Sequence, residues 1–114
     1  MNTKTKNYIP QRGDIIWIDF NPQIGKEIMK RRPALVLSPH DYNKHGLILA
    51  IPITSQIKGY PFEVLVNTQK VTGVALADSI KNFDWRIRNA EYITNSPNSL
   101  VQDVLKLLIL ILKP

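Results

Sequence analysis

The feature that most constrains the fold is a series of short apolar runs, each stopped by turn-forming residues before it is long enough for a helix. Runs that are rich in β-branched and aromatic side chains favour strands, and the Pro, Gly and Asn-Pro signals between the runs favour turns. Many short strands at close spacing are typical of a small barrel and not of a parallel sheet. The strand-like runs are Asp14–Phe20, Ala34–Leu37, Leu47–Thr54, Phe62–Val66 and Thr72–Ala77.

Four segments are harder to assign. Pro52 cannot donate a ladder hydrogen bond, so its strand is expected to end, bulge or lie at an edge there. Residues Ser79–Arg88 alternate an aromatic face with a polar one, which predicts a sixth strand. The charged interval Gln23–Arg32 predicts an exposed loop, and Asp41–Gly46 has the composition of a turn.

One helix is predicted at the end of the chain, over residues 97–112. Ser96 can cap its free amides, and Pro97 suits the first helical position. The apolar surface is wider than one core needs, which leaves two alternatives: a dimer contact, or a helix between two layers of the same domain. The stripe predicted to face the core is Leu100, Val101, Val104, Leu105, Leu108, Ile111 and Leu112, with Leu107, Ile109 and Leu110 beyond it.

Length and composition bound the class of protein. The 114 residues predict one domain spanning 1–114, and 44% hydrophobic residues exclude a disordered chain. With 0 Cys there is no disulfide framework and no thiolate nucleophile, which fits a reducing cytoplasm. The N-terminal residues are polar, and Leu107–Leu112 is far shorter than the roughly 20 residues of a membrane helix, so a cytoplasmic protein with no membrane contact is expected.

The charge is strongly basic. Lys and Arg number 15 against 9 Asp and Glu, giving +6 and a pI near 9.7, so polyanions such as nucleic acid are favoured partners. Four of the cations lie between Lys26 and Arg32, with Glu27 as the only carboxylate. A solvated charge run is the ordinary alternative for such a segment. That alternative is weakened at Arg32, because Pro33 biases it to an extended geometry that can aim a guanidinium.

Most enzyme classes lack their residues here. His40 lies just before the predicted turn and His45 within it, with no carboxylate obviously set to orient either ring, so surface histidines are expected and no metal site or cofactor is predicted. There is no Gly-rich phosphate loop and no G-x-S-x-G. Arg32, Thr54 and Glu27 remain, and they suit RNA cleavage, where the ribose 2′-hydroxyl is the nucleophile and the protein moves protons and stabilises charge.

At these residues the sequence resembles the MazF/PemK family of bacterial toxin endoribonucleases, nearest its enterobacterial members. The resemblance covers Tyr8–Arg88 almost continuously, and the order and spacing of its motifs make it specific. These motifs are G-D-I-I-W-I-D-F-N-P at 13–22, G-x-E at 25–27, R-P-A-L-V-L-S-P at 32–39, P-x-T at 52–54, K-G-Y-P-F-E-V at 58–64, G-V-A-L-A-D at 73–78 and W-R-x-R at 85–88.

The resemblance implies a mainly β, SH3-like barrel with a C-terminal helix, a homodimer, and metal-independent cleavage of single-stranded RNA at short motifs. The expected partner is a small acidic MazE-like antitoxin whose tail competes with RNA. The implied catalytic residues are Arg32, Thr54 and Glu27; Lys58 would hold the RNA backbone; and the residues lining the groove would be Phe20, Asn21, Ser55, Gln56, Ser79, Lys81 and Arg88.

The sequence differs from close relatives at positions that would affect base preference. Lys30-Arg31 stand where Gly-His is frequent, and Ser79 stands where Gln is common. Two alternative functions stay open: a gyrase-inhibiting toxin of the related CcdB fold, and an SH3-like module that binds nucleic acid without cutting it. The gyrase-inhibiting mode has no need for the set of Arg32, Thr54 and Glu27.

Overall fold

The computed structural model describes residues 7–21 and 30–114. The strands pair antiparallel in the order β4-β5-β3-β2-β1-β7, and β6 pairs with β3 beside that path. The elements are β1 (Asp14–Asn21), β2 (Lys30–Val36), α1 (His40–Asn43), β3 (Leu47–Thr54), β4 (Glu63–Asn67), β5 (Thr72–Leu76), β6 (Lys81–Asp84), β7 (Glu91–Asn95) and α2 (Asn98–Leu112). A mainly β fold with a C-terminal helix is confirmed.

Strand β3 gives the sheet its bent, barrel-like form because it changes partner on one edge. Its first half pairs with β6, with Ala50 opposite Lys81, and its last two residues pair with β5. Pro52 lies between these two ladders and is opposite Ala34 of β2 on the other edge. The strand therefore runs through the proline inside the sheet, so the expected strand end or sheet edge is wrong. A break in the ladder is a place where a residue without an N–H is tolerated.

The sheet is buried on both faces, which explains why its strands are apolar without strict alternation. Successive residues of β1 point to different cores: Ile15 belongs to the cluster that α2 covers, and Ile16 belongs to a second cluster on the other face. Phe83 and Trp85 close the second cluster. The aromatic face predicted for Ser79–Arg88 therefore packs into the second core as far as Trp85.

Helix α2 packs against the first core through Leu100, Val101, Val104 and Leu108. Its start differs from the expectation. Ser96 makes no cap, because its hydroxyl donates to the carbonyl of Gly13 at 2.7 Å and so ties the helix to the start of β1. The last turn extends past the core, so the prediction that Ile111 and Leu112 face it is wrong. The exposed fractions there are Ile109 60%, Leu110 69%, Ile111 43% and Leu112 77%.

The predicted strand over Ser79–Arg88 is only four residues long, Lys81–Asp84. A turn follows because the Asp84 carboxylate accepts hydrogen bonds from the amides of Arg86 and Ile87, both at 3.2 Å. Asn89 then adopts a φ of 58°, a left-handed conformation that Asn tolerates well. Sequence reasoning missed β7, whose side chains are half-buried or exposed and show no clean alternation.

Two further element boundaries differ from the prediction. Strand β2 begins at Lys30, so the end of the interval predicted as a loop is strand. The predicted turn over Asp41–Gly46 contains most of the single-turn helix α1. No helix among the described residues is long and apolar enough to cross a membrane.

Tyr8 is bound at the edge of the second core. Its hydroxyl donates to Asp14 Oδ2, and its ring meets that of Tyr92 edge to face at 5.6 Å. Burial first, and then the hydrogen bond to Asp14, raises the pKa of Tyr8 well above its ordinary value. The phenol therefore stays protonated and acts as a structural donor.

Candidate functional site

A cavity of about 210 Å³ opens where β2 and β3 meet the loop that follows β3. A second cavity of about 260 Å³ adjoins it and shares Arg32 and Thr54. The first is lined by Arg32, Thr54, Gln56, Lys58, Tyr60, Glu63 and Leu76. The second adds Pro33, Ile53, Ser55 and Thr72. The structure thus brings together Arg32, Thr54, Ser55, Gln56 and Lys58 of the residues singled out in the sequence.

Strand register explains why Arg32 and Thr54 share both cavities. Ala34 of β2 lies opposite Pro52 of β3 in an antiparallel pair. The paired residues end there, and extending the register by two residues brings Arg32 towards Thr54 on the same face of the sheet. Two residues that are distant in sequence thus come to line the same cavities.

The neighbouring arginine has a different environment. Arg31 donates to Asp19 at 3.1 Å, to the carbonyl of Asn89 at 3.1 Å and to Glu91 at 2.7 Å. Asp19 is only 6% exposed and also accepts from the Asn89 amide at 2.8 Å. Both arginines are exposed, but Arg31 is a structural cation that joins β1, β2 and β7, whereas Arg32 lines the cavity.

Thr54 is held at the end of β3. Its backbone pairs with Val74 of β5, and its hydroxyl oxygen accepts a hydrogen bond from the amide of Gln56 at 3.1 Å. A threonine hydroxyl can accept and donate at once. The oxygen is thus fixed by the chain that follows it, and its proton can be donated to a group in the cavity.

The loop after Thr54 carries a second cation. Lys58 Nζ lies 5.9 Å from the centre of the Tyr60 ring, within cation–π range. Glu63 bonds to the loop backbone, since its two carboxylate oxygens accept from the amides of Lys58 and Gly59, both at 3.0 Å. The first cavity therefore holds two cations and one carboxylate, a balance that suits a phosphate oxyanion.

Four other predicted groove residues line neither of these two cavities: Phe20, Ser79, Lys81 and Arg88. Phe20 packs edge to face on Phe83 at 5.0 Å, beside the second core. Arg88 donates to the carbonyls of Asp19 and Phe20 at 3.1 and 2.9 Å, and its guanidinium lies 5.3 Å from the Phe83 ring. Their roles in RNA contact stay predictions.

Ser79 and Lys81 follow β5, whose last residue, Leu76, lines the first cavity. Ser79 is half-buried and Lys81 is exposed at the start of β6. Asn21 ends β1 opposite Lys30, and nothing is described of its side chain. Glu27 lies outside the described residues.

The histidines are both exposed, and neither lines the two cavities, as the sequence predicted. His40 lies 3.6 Å from the Asp41 carboxylate on the same helix. Within residues 7–21 and 30–114, no group of three His, Cys, Asp or Glu side chains is placed to hold a metal ion.

Sequence reasoning missed three residues at this site. Tyr60 and Glu63 belong to the segment K-G-Y-P-F-E-V, which served only to establish resemblance. Gly73 begins the motif G-V-A-L-A-D, which likewise served only to establish resemblance, and it lies against the backbone of Thr54. The available signal in the sequence was a carboxylate five residues after a lysine, with a glycine between them. This spacing allows the carboxylate to bond to the backbone of the loop.

Comparison with known proteins gives a consistent picture. Residues 11–112 match the family described as PemK-like, MazF-like toxin of type II toxin-antitoxin system. The chain is 54% identical over 84 residues to the endoribonuclease toxin MazF of Escherichia coli K12, covering 73% of this chain and 76% of that protein. It is 32% identical over 101 residues to the endoribonuclease toxin ChpB of the same strain, covering 83% and 87%.

A solved structure agrees with the fold. The MazE-MazF crystal structure (form II) from Deinococcus radiodurans superposes with a TM-score of 0.86 at 46% identity, covering 92% of this chain and 96% of that one. A mainly β, barrel-like sheet with a C-terminal helix is thus the fold that this chain shares with the MazF toxins. The chain belongs to the PemK-like, MazF-like toxin family of type II toxin-antitoxin systems.

Proposed function

We propose that this protein is the endoribonuclease toxin of a type II toxin-antitoxin pair and cleaves single-stranded RNA without a metal ion. The observation that carries the proposal is the meeting of Arg32, Thr54 and Lys58 around one cavity. The similar proteins named as endoribonucleases support the RNA substrate. Cleavage of messenger RNA in the cytoplasm would then stop translation and growth.

In the proposed reaction the ribose 2′-oxygen attacks the adjacent phosphorus as it loses its proton. The bond from phosphorus to the 5′-oxygen of the next nucleotide breaks, and that oxygen takes up a proton. The products are a 2′,3′-cyclic phosphate and a 5′-hydroxyl, and atoms balance without water or metal. The protein moves protons and stabilises charge on the non-bridging oxygens.

The three residues predicted to be catalytic, together with Lys58, each have a part in this scheme. Arg32 places its planar donors on two phosphate oxygens and takes part in proton transfer. Thr54 donates its hydroxyl proton to the same phosphorane, and Glu27 supports acid–base transfer or orients Arg32. Lys58 holds the neighbouring phosphate. The residues that would line the path of the strand and set the cleavage motif are Phe20, Asn21, Ser55, Gln56, Ser79, Lys81 and Arg88.

Two partners follow from the family. A small acidic antitoxin of the MazE type would bind the basic groove and exclude RNA; the superposed MazE-MazF structure supports this assignment. A homodimer is proposed as well. The exposed apolar last turn of α2, Ile109–Leu112, is a surface that a second copy could cover.

The test is incubation of the purified protein with single-stranded RNA in excess EDTA. Cleavage at an undiminished rate is expected, because no step uses a metal. Intact RNA, or cleavage abolished by chelation and restored by Mg²⁺, would contradict the proposal. Intact RNA together with gyrase-dependent breaks in DNA would instead support the CcdB-like alternative, which no contact in the described structure favours.

A further inference from the structure

The β4–β5 hairpin contacts the catalytic loop at both of its ends. This loop, residues 54–59, begins with Thr54 and carries Lys58, the two side chains proposed to act on the phosphate beside Arg32. Gly73 of β5 lies against the first end, and Glu63 of β4 binds the second. Neither residue has a part in the chemistry proposed above.

Gly73 meets Thr54 so closely that no side chain fits between them. A Cβ at position 73 would lie 2.2 Å from the carbonyl oxygen of Thr54, 2.9 Å from its carbonyl carbon and 3.3 Å from Ser55 Cα. These are backbone atoms, which cannot turn aside as a side chain can. The φ of Gly73 is also +142°, which L side chains rarely adopt. The Thr54 backbone can thus lie at this position only because residue 73 is a glycine and has no side chain.

Glu63 fixes the other end by charge-assisted hydrogen bonds. Its two oxygens accept from consecutive amides, those of Lys58 and Gly59, at 3.0 Å each. Bonds of this kind are stronger than neutral ones, and two acting together define an orientation. They hold the backbone from which the Lys58 side chain reaches the cavity.

We propose that the β4–β5 hairpin is the positioning element of the site, with Gly73 placing Thr54 and Glu63 placing Lys58. The inference rests on the proposed ribonuclease function, and it names two residues that act through others. Since Thr54 stabilises the transition state, Gly73 governs the chemical step. Since Lys58 holds a phosphate throughout the reaction, Glu63 governs RNA binding.

Gly73→Ala tests the first half. A shift of roughly 1 Å in a catalytic group costs about 100-fold, so kcat should fall by about that factor with KM nearly unchanged. Gly46→Ala is the matched control: its φ is also positive, +109°, but its Cβ would meet only the Arg86 guanidinium at 3.5 Å. This variant should lose stability and keep kcat. In a Thr54→Ala background, Gly73→Ala should add no further loss of kcat.

Glu63→Ala tests the second half and does not depend on whether Gly73→Ala folds. Loss of two charge-assisted bonds should raise KM for RNA about 10-fold with little change in kcat. Removing a negative charge from a phosphate site would by itself lower KM, so the sign of the change identifies the positioning role. Asp41→Ala, at an exposed carboxylate on α1, is the control and should leave KM unchanged.

The outcomes separate this inference from the proposed function. If wild-type protein fails to cleave RNA, the proposed function is wrong. If wild-type protein cleaves, the hairpin inference is overturned by a folded Gly73→Ala variant with wild-type kcat. A Glu63→Ala variant whose KM is unchanged or lower overturns it as well. The inference is also overturned if Glu63→Ala still raises KM in a Lys58→Ala background, because Glu63 would then not act through Lys58.

Discussion

Arg32→Ala is expected to lower the rate of RNA cleavage by about 10²–10³-fold while leaving the free energy of unfolding nearly unchanged. Arg32 is exposed at the cavity, so its removal takes nothing from either core. In the proposed transition state its donors face the developing charge on the phosphate, and no other described cation lines both cavities. Single-turnover cleavage and urea denaturation on the same preparation measure the two quantities.

Arg31→Ala is the matched control, since it removes the same side chain from the adjacent position. Arg31 joins Asp19 and Glu91, so its loss leaves a buried carboxylate with fewer donors and should cost about 1–2 kcal/mol of stability. Cleavage by the folded variant should stay within a few-fold of wild type. The assignment of chemistry to Arg32 is wrong if the two variants exchange these phenotypes, or if Arg32→Ala cleaves at the wild-type rate.

The second large effect is on stability, at Asn43. This side chain is fully buried at the end of α1, donates to the carbonyls of Pro10 and Ser38 at 2.8 Å each, and accepts from the Ser38 hydroxyl. Its backbone carbonyl accepts from the Trp85 indole at 2.7 Å. Asn43→Ala should lower the free energy of unfolding by about 2–4 kcal/mol, because buried polar groups lose their partners.

Asn82→Ala provides the comparison for that measurement. Asn82 is exposed, and its amide donates to the Tyr42 hydroxyl at 3.1 Å and to the carbonyl of Ile48 at 3.2 Å. Water can replace these bonds, so the loss should be below about 1 kcal/mol. Urea denaturation of both variants decides the matter. Equal losses in the free energy of unfolding would contradict the claim that the hydrogen bonds of Asn43 contribute more because they are buried.

The strands of the core were predictable because both faces of the sheet are buried. Runs such as that of β1 are apolar for that reason, and the turn residues between runs mark their ends. Strand β7 was not predictable in the same way, and β6 was predicted from its alternation but at more than its actual length. Their side chains are largely half-buried or exposed, and the turn after Asp84 depends on a side chain bonding to amides ahead of it.

The candidate site was predictable in part. Arg32 and Thr54 were found by residue type and by resemblance, and the register of β2 with β3 supplies the reason they meet. The contrast between Arg31 and Arg32 was not visible in the sequence, because it depends on Asp19 and Glu91 lying beside one and not the other. The close approach of Gly73 to Thr54 is likewise a product of tertiary pairing.

The proposed reaction is tested most directly with two oligonucleotides that differ only in the 2′-hydroxyl of the nucleotide before the cleaved bond, both in excess EDTA. The all-ribose strand should be cut to a 2′,3′-cyclic phosphate and a 5′-hydroxyl. The strand with the single 2′-deoxy substitution should bind with similar affinity and stay intact. Cleavage of the deoxy strand at a comparable rate would contradict the claim that the RNA supplies the nucleophile and that Arg32 and Thr54 serve that reaction.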